Sequence, residues 1–187
     1  AEDALKLVGN LHRAIDTVYQ QGALGEYKPD CKAGCSHCCH LHVEVLDAEA
    51  LQIAEEIRHR PPGELAILLE RLQDQAVMRN ASPPMTRSIS GCAFLADGLC
   101  SIYSVRPATC RKGHSLSVQQ CREAASQLPQ NLQVIAESEA LIAGISGAYR
   151  EAGLPSASRE LAAAVLLALT DDAAKSKWYA GASSSFE

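Results

Sequence analysis

A chain of 187 residues, 47% hydrophobic and 21% charged, is long enough to bury one domain core and too apolar to stay disordered. Its longest apolar run, Leu161 to Leu169, falls well short of the ~20 residues that span a bilayer, so no membrane partner is expected. A formal charge of −5 leaves no basic excess for phosphates, which argues against general nucleic-acid binding.

Residues 1–20 place acidic side chains first and show no apolar signal-peptide core. The expected compartment is therefore cytoplasmic. There the eight cysteines would stay reduced, and clustered thiols more often hold metal than form disulfides.

In chain order, Leu5, Val8, Leu11, Ile15, Val18 and Tyr19 recur at three and four residues and predict an amphipathic helix over 3–21, ended by Gly22 and Gly25. His12 is expected on its surface. Residues 31–40 show neither period and read as a loop organised by something other than packing. Leu41, Val43 and Val45 alternate with polar residues as a short strand does. Asp47 is placed to cap a helix over 48–60, stopped by Pro61-Pro62-Gly63, with His59 on its surface. A third helix over 64–79 is closed by Ser82-Pro83-Pro84.

From Ser88 to Tyr103 two short apolar stretches flank Asp97-Gly98, a dipeptide suited to a tight hairpin, with Cys92 and Cys100 on opposite arms. Phe94 and Tyr103 are expected to pack in that hairpin. Pro107 suits the first position of a short helix carrying Cys110, and Ser117 with Gln120 the start of another holding Cys121. Helices over 130–151 and from a Ser158 cap to Leu169 follow, then a turn around Trp178. The expected fold class is mainly α. A single domain over 1–187 would be a helical bundle, with a small Cys-rich metal-binding region, 28–122, containing a short β-hairpin.

The chemistry concentrates in Cys31-x3-Cys35-x2-Cys38-Cys39. Cys35 and Cys38 form a C-x2-C knuckle, a spacing that lets two thiolates reach one metal at the ~2.3 Å of a Zn–S bond. Cys31 adds a third thiolate. In extended chain the adjacent Cys38 and Cys39 would point to opposite faces, so one small ion takes one of them and the other is left for a second metal, a cluster or a redox step. Cys92, Cys100, Cys110 and Cys121 follow at spacings of seven, nine and ten intervening residues, none a knuckle. Scattered thiolates completing a compact motif suit an iron–sulfur cluster, [4Fe–4S] in particular. Zinc stays open as the alternative. Lys28 and Lys32 against Asp30, and Arg106, Arg111 and Lys112 against Asp97, give these segments +3 and leave −8 elsewhere. Four thiolates on either centre carry about −2, which such cations favour, so Arg106, Arg111, Lys32 and the knuckle's His37 are expected around the ligands. His40, His42 and His114 crowd the same segments.

The first motif, joined to Gly91-Cys92-Ala93-Phe94-Leu95 and to Leu99-Cys100-Ser101-Ile102-Tyr103-Ser104-Val105-Arg106-Pro107 with Cys110-Arg111, resembles the bacterial zinc- or iron-chelating cysteine-cluster family, whose signature is CxxCxxCC. Flagellin lysine N-methylases are similar to it in this region and are longer chains. The resemblance covers about residues 28–112 and leaves Cys121 outside. It implies that these cysteines bind metal and supplies no reaction. The spacing of Cys31, Cys35 and Cys38 is also that of radical SAM enzymes, but their large α/β barrel does not suit so helical a chain. A secreted, disulfide-rich helical carrier suits it no better, since four cysteines within nine residues are poorly placed for separate bridges. Two functions stay open. One is an iron–sulfur protein for electron transfer or as the cofactor part of a modifying system. The other is a zinc module that binds a protein partner or passes on a soft metal ion.

Overall fold

The computed structural model describes residues 4–80, 91–125 and 127–182, and within them the chain is mainly α-helical. Helix α1, Ala4–Leu24, buries Val8, Leu11, His12 and Ile15 on one stripe, as a surface helix of this period must. It runs past the predicted end at Gly22. There a Cβ would collide with the Val134 side chain, so this glycine is kept for close helix approach rather than as a stop. A 3-10 turn, His37–His40, lies inside the predicted loop. Strand β1, Glu44–Leu46, leads directly into α2, Asp47–Arg58. Asp47 is the first helical residue and not the cap. Glu49 instead reaches back to the Leu46 amide (3.1 Å), satisfying one of the helix's orphan donors.

Helix α3, Pro62–Asn80, starts on a proline whose missing N–H costs nothing at that position. The predicted stop at Ser82-Pro83-Pro84, and Ser88, lie outside the described residues. Strands β2, Leu95–Ala96, and β3, Leu99–Cys100, form the expected hairpin. Asp97 (φ 50°) and Gly98 (φ 77°) both take the positive φ that a two-residue turn of the I′ type demands. Helix α4, Ala108–Lys112, follows Pro107, and α5, Val118–Arg122, is capped by the Ser117 hydroxyl, which accepts from the Gln120 amide (3.3 Å).

Helix α6, Leu132–Glu151, is capped by Asn131. Next come β4, Ser158–Glu160, α7, Leu161–Thr170, and α8, Ala174–Tyr179. Ser158 does not start the helix as expected. Residues 158–160 pair antiparallel with β1, Val45 opposite Arg159, and the helix begins at Leu161 under a Glu160 cap that accepts from the Ala163 amide (2.8 Å). The edge of β1 needs a partner, and Arg159 placed there also reaches the buried Asp47 carboxylate (3.0 Å).

The core runs through α1, α2, α3, α6, α7 and α8, with Ile15, Ile53, Ile57, Leu72, Val165, Tyr149 and Trp178 fully buried. Tyr149 and Trp178 meet edge to face with centroids 5.4 Å apart. Their polar tips are satisfied by the Ala4 carbonyl (2.9 Å) and the Pro155 carbonyl (2.9 Å) respectively. From 28 to 42 no residue is buried.

Candidate metal centre

Five of the eight cysteines ride on short elements, and several of these are tied to the bundle by side chains. Cys38 and Cys39 ride on the 37–40 turn, whose exit carbonyls, His40 and Leu41, accept from the Arg79 guanidinium (3.2 and 2.9 Å). Cys92 precedes the hairpin. Gly91 beside it lies against the His40 ring, close enough that a Cβ would stand 3.3 Å from Cε1, and the Ala93 amide donates to Gln75 Oε1 (2.6 Å). Cys92 is thereby brought next to the Cys38–Cys39 turn. Cys100 lies on β3 opposite Leu95, and the hairpin is held from outside by Arg71 to the Leu95 carbonyl (2.6 Å) and Arg60 to the Ser101 carbonyl (2.6 Å). Cys110 is on α4.

The first turn of α4 is anchored on Glu49. Its Oε1 accepts from the Ala108 amide (2.7 Å) and lies 2.9 Å from His12 Nε2, while Oε2 takes the Leu46 amide. Glu49 and His12 are both buried. His12 is thus not on the surface as expected. It shares the apolar stripe of α1 because a buried carboxylate partner waits there, and its spacing from Val8, Leu11 and Ile15 was the sequence signal for burial. Tyr103 is also corrected: Phe94 is buried, but Tyr103 is 62% exposed and lies beneath the Arg106 guanidinium, 4.0 Å from its ring centroid. His59 is exposed, as expected.

Among the described residues, which include all eight cysteines, none is disulfide-bonded. Cys121 is buried, Cys38 is exposed, and the other six are half-buried. The thiols sense one another. The hydrogen bond to Cys38, then burial, then the charges of Cys38, Cys92 and Cys110 hold the Cys39 thiol far above its ordinary range. Burial pushes Cys92 up to about 11, with Cys100 adding to the rise. Burial, then Cys92, Cys38 and Cys100, raise Cys110. Burial raises Cys100 as well, with Cys38 contributing and Arg106 opposing. Cys31 belongs to other neighbours: burial raises it, joined by Cys35, Cys38 and Cys121.

Thiols so crowded and sheltered cannot ionise together without a cation. The donor set is uniformly soft sulfur, which suits zinc or iron. The backbone of Phe94 and of Ile102 hydrogen-bonds Cys92 and Cys100 and favours their thiolates, as amides around metal-bound sulfur do. Among the described residues no group of three or more His, Cys, Asp or Glu stands in a metal-holding arrangement. The fit is therefore one of chemistry and neighbourhood.

The expected basic neighbours differ in where their charge goes. Arg111 is spent on Asp16 (2.6 Å) and on the carbonyls of Arg106 (2.8 Å) and Ser104 (2.6 Å). Arg106 acts on Cys100 and Cys110, stabilising their thiolate forms. Lys32 is exposed, its carbonyl closing the turn to the Cys35 amide (2.9 Å), and His37 is half-buried. His114 has both ring nitrogens engaged, Nδ1 with the Lys112 carbonyl (2.8 Å) and Nε2 accepting from the Asn131 amide (2.8 Å), which fixes its tautomer and leaves it no lone pair for a metal. His42 lies 3.6 Å from Glu44.

The profile of the CxxCxxCC family, described as "putative zinc- or iron-chelating domain", matches residues 30–130, a span that takes in Cys121. The first interval here is one residue longer than that signature. No curated protein and no solved structure matches the chain. With more than half of its length under that profile, this chain belongs to the CxxCxxCC family of metal-chelating cysteine-cluster proteins.

Proposed function

We propose that this protein carries an iron–sulfur cluster on Cys39, Cys92, Cys100 and Cys110, for electron transfer or as the cofactor part of a modifying system. What supports the reading is the mutual influence of four sheltered thiols carried by the 37–40 turn, by the hairpin and the residue leading to it, and by α4. When bound, a [4Fe–4S] cluster would supply a one-electron couple. The chain's own residues would do the rest. Glu49 fixes α4 and so Cys110, and Gln75 and Arg71 hold the hairpin. Arg106 offsets the negative charge of the thiolates, and the Phe94 and Ile102 backbone solvates two of the sulfurs. The whole chain would act as one domain with 28–122 as its metal-binding part, in the cytoplasm, where thiols stay reduced.

Elemental analysis and visible absorption on protein purified without oxygen test this directly. Brown protein with matched iron and acid-labile sulfide, both lost in Cys110→Ser, is expected. Colourless protein holding zinc at this quartet would overturn the cluster and leave a zinc module for partner binding or metal delivery.

A further inference from the structure

The C-terminal end of α1 and the first turns of α6, with Leu116 and 129–131, border an open cleft of about 620 Å³. We infer that this cleft is a docking site for a basic segment of a protein partner, which seats a large apolar side chain in it and sets Lys or Arg against Glu26 and Glu137. The purpose of the contact, bringing a redox or modification partner to the thiols, rests on the proposed function. The cleft and its occupant do not.

The cleft opens where two helices that meet closely run out of side chains. Gly22 lets α1 approach Val134 of α6, as described above. Three residues on, a Cβ at Gly25 would meet only the Gly22 carbonyl within 4 Å, at 3.4 Å, so the space above this glycine is empty. Val18, Leu116, Pro129 and Val134 give the cleft its apolar lining. The chain does not cover the apolar groups around it. Leu24, between the two glycines, is 84% exposed, Tyr27 59% and Leu132 78%. Large apolar side chains left open together around a cleft mark contact with another molecule. So open a rim suits one side chain of a larger partner better than an enclosed small molecule.

Charge selects the occupant. Glu26 and Glu137 line the cleft, and among the described residues no Lys, Arg or His does. Glu26 is exposed, and Glu137, half-buried, accepts from Gln133 Nε2 (2.7 Å). Neither carboxylate is ion-paired among the described residues. Lys28 lies outside the lining and Lys112 is spent on Glu139 (2.8 Å). A second copy of this acidic chain, a phosphate backbone or an anionic lipid surface would bring like charge to that rim, whereas an apolar side chain flanked by Lys or Arg complements both features. The place also suits the thiols. Asn131 Nδ2 donates to the Tyr27 carbonyl (3.3 Å), the Leu116 amide to the Pro129 carbonyl (2.8 Å), and the Asp30 amide to the Ser115 carbonyl (2.8 Å). The cleft wall is thus continuous with the strip that holds Asp30, and a docked partner is kept beside the chain that enters the first cysteine motif.

A short synthetic peptide carrying Leu-Trp with lysines on both sides, titrated into the isotope-labelled full chain, tests this through backbone amide NMR shifts. The shifts should gather at 18–27 and 129–137 and saturate with a Kd below ~1 mM. Gly25→Phe, which plugs the cleft, and the double variant Glu26→Lys with Glu137→Lys should each weaken binding at least about tenfold while helical circular dichroism is unchanged. Either alone decides if the other does not fold. Replacing the peptide's lysines with glutamates, or its Leu-Trp with Ala-Ala, should cost as much. Equal binding to parent and variants, equal binding of the glutamate peptide, shifts on another face, or no saturation by ~1 mM overturns the proposal. So does a parent dimer in sedimentation that Gly25→Phe dissolves, because a second copy would then fill the cleft. The readout needs no iron. A colourless chain that binds the peptide keeps the cleft and loses the cluster, and a brown chain that ignores it does the reverse.

Discussion

The bundle and the cysteine-bearing side of this protein are held by different forces. Helices α1, α2, α6, α7 and α8 are joined through contiguous apolar burial, with the aromatic pair Tyr149 and Trp178 at its centre. The segment 28–42 has no fully buried residue and is kept in place by hydrogen bonds from Arg79, from the 115–118 backbone and from its own turns. Hydrophobic burial tolerates small shifts because it is non-directional, whereas a framework of directed hydrogen bonds needs every partner in register. A region built the second way is expected to depend on a bound metal far more than the bundle does.

Breaking that dependence should give the largest effect. Stripping metal with a strong chelator, or replacing Cys39 with Ser, is expected to remove hydrogen-exchange protection across 28–42 while the helical circular dichroism of the bundle persists. Equal loss in both regions would show that the two are one cooperative unit. Next in size is Glu49→Ala, which leaves two buried amides and His12 without their acceptor. A loss of about 3 kcal/mol in denaturant unfolding is expected, together with weaker metal retention.

A pH series on metal-free protein sharpens the contrast further. Because burial raises Cys92 to about 11, the folded thiol stays neutral where the unfolded one, near ~8.5, has ionised. Its stabilising contribution is complete below the unfolded value and is lost as pH climbs through the folded one. Metal-free stability should therefore fall by at most about 3 kcal/mol between those values, and Cys92→Ser should flatten the fall.

The two arginines should separate by readout. Arg111→Ala should cost about 2 kcal/mol, since the Asp16 carboxylate and two carbonyls lose a buried partner. Arg106→Ala should instead lower the reduction potential of a bound cluster by tens of millivolts, because a nearby positive charge favours the reduced, more anionic state. Redox titration that finds the larger shift in Arg111→Ala would reverse this division. The smallest effect is expected at the exposed Lys175–Glu55 pair, where Lys175→Ala should change thermal stability by less than about 0.5 kcal/mol.

How much of this was legible in the sequence follows the same contrast. Local signals served well: the apolar period located α1, α3 and α6, and Asp97-Gly98 located the hairpin because its conformational demand is local. Long-range pairing did not show. Nothing in residues 158–160 announces β1 as a partner, and the Ser158 cap looked sufficient alone. Burial of His12 depends on Glu49, 37 positions away. The cysteine spacings identified thiols that gather, but intervals of seven, nine and ten residues carry no information on which gather with which. What positions those segments is the 3-10 turn and the ties between Asp30 and the 115–118 segment.

Arg71 and Arg79 sit eight residues apart on α3, and one grips the hairpin while the other grips the exit of the 37–40 turn. Two strokes of the same helix thus end on two different sulfur-bearing loops. Any partner that rolled or slid α3 would carry both loops along as a crank carries two rods, so mechanical force applied at the outer face of that helix is transmitted to the sulfurs without touching them.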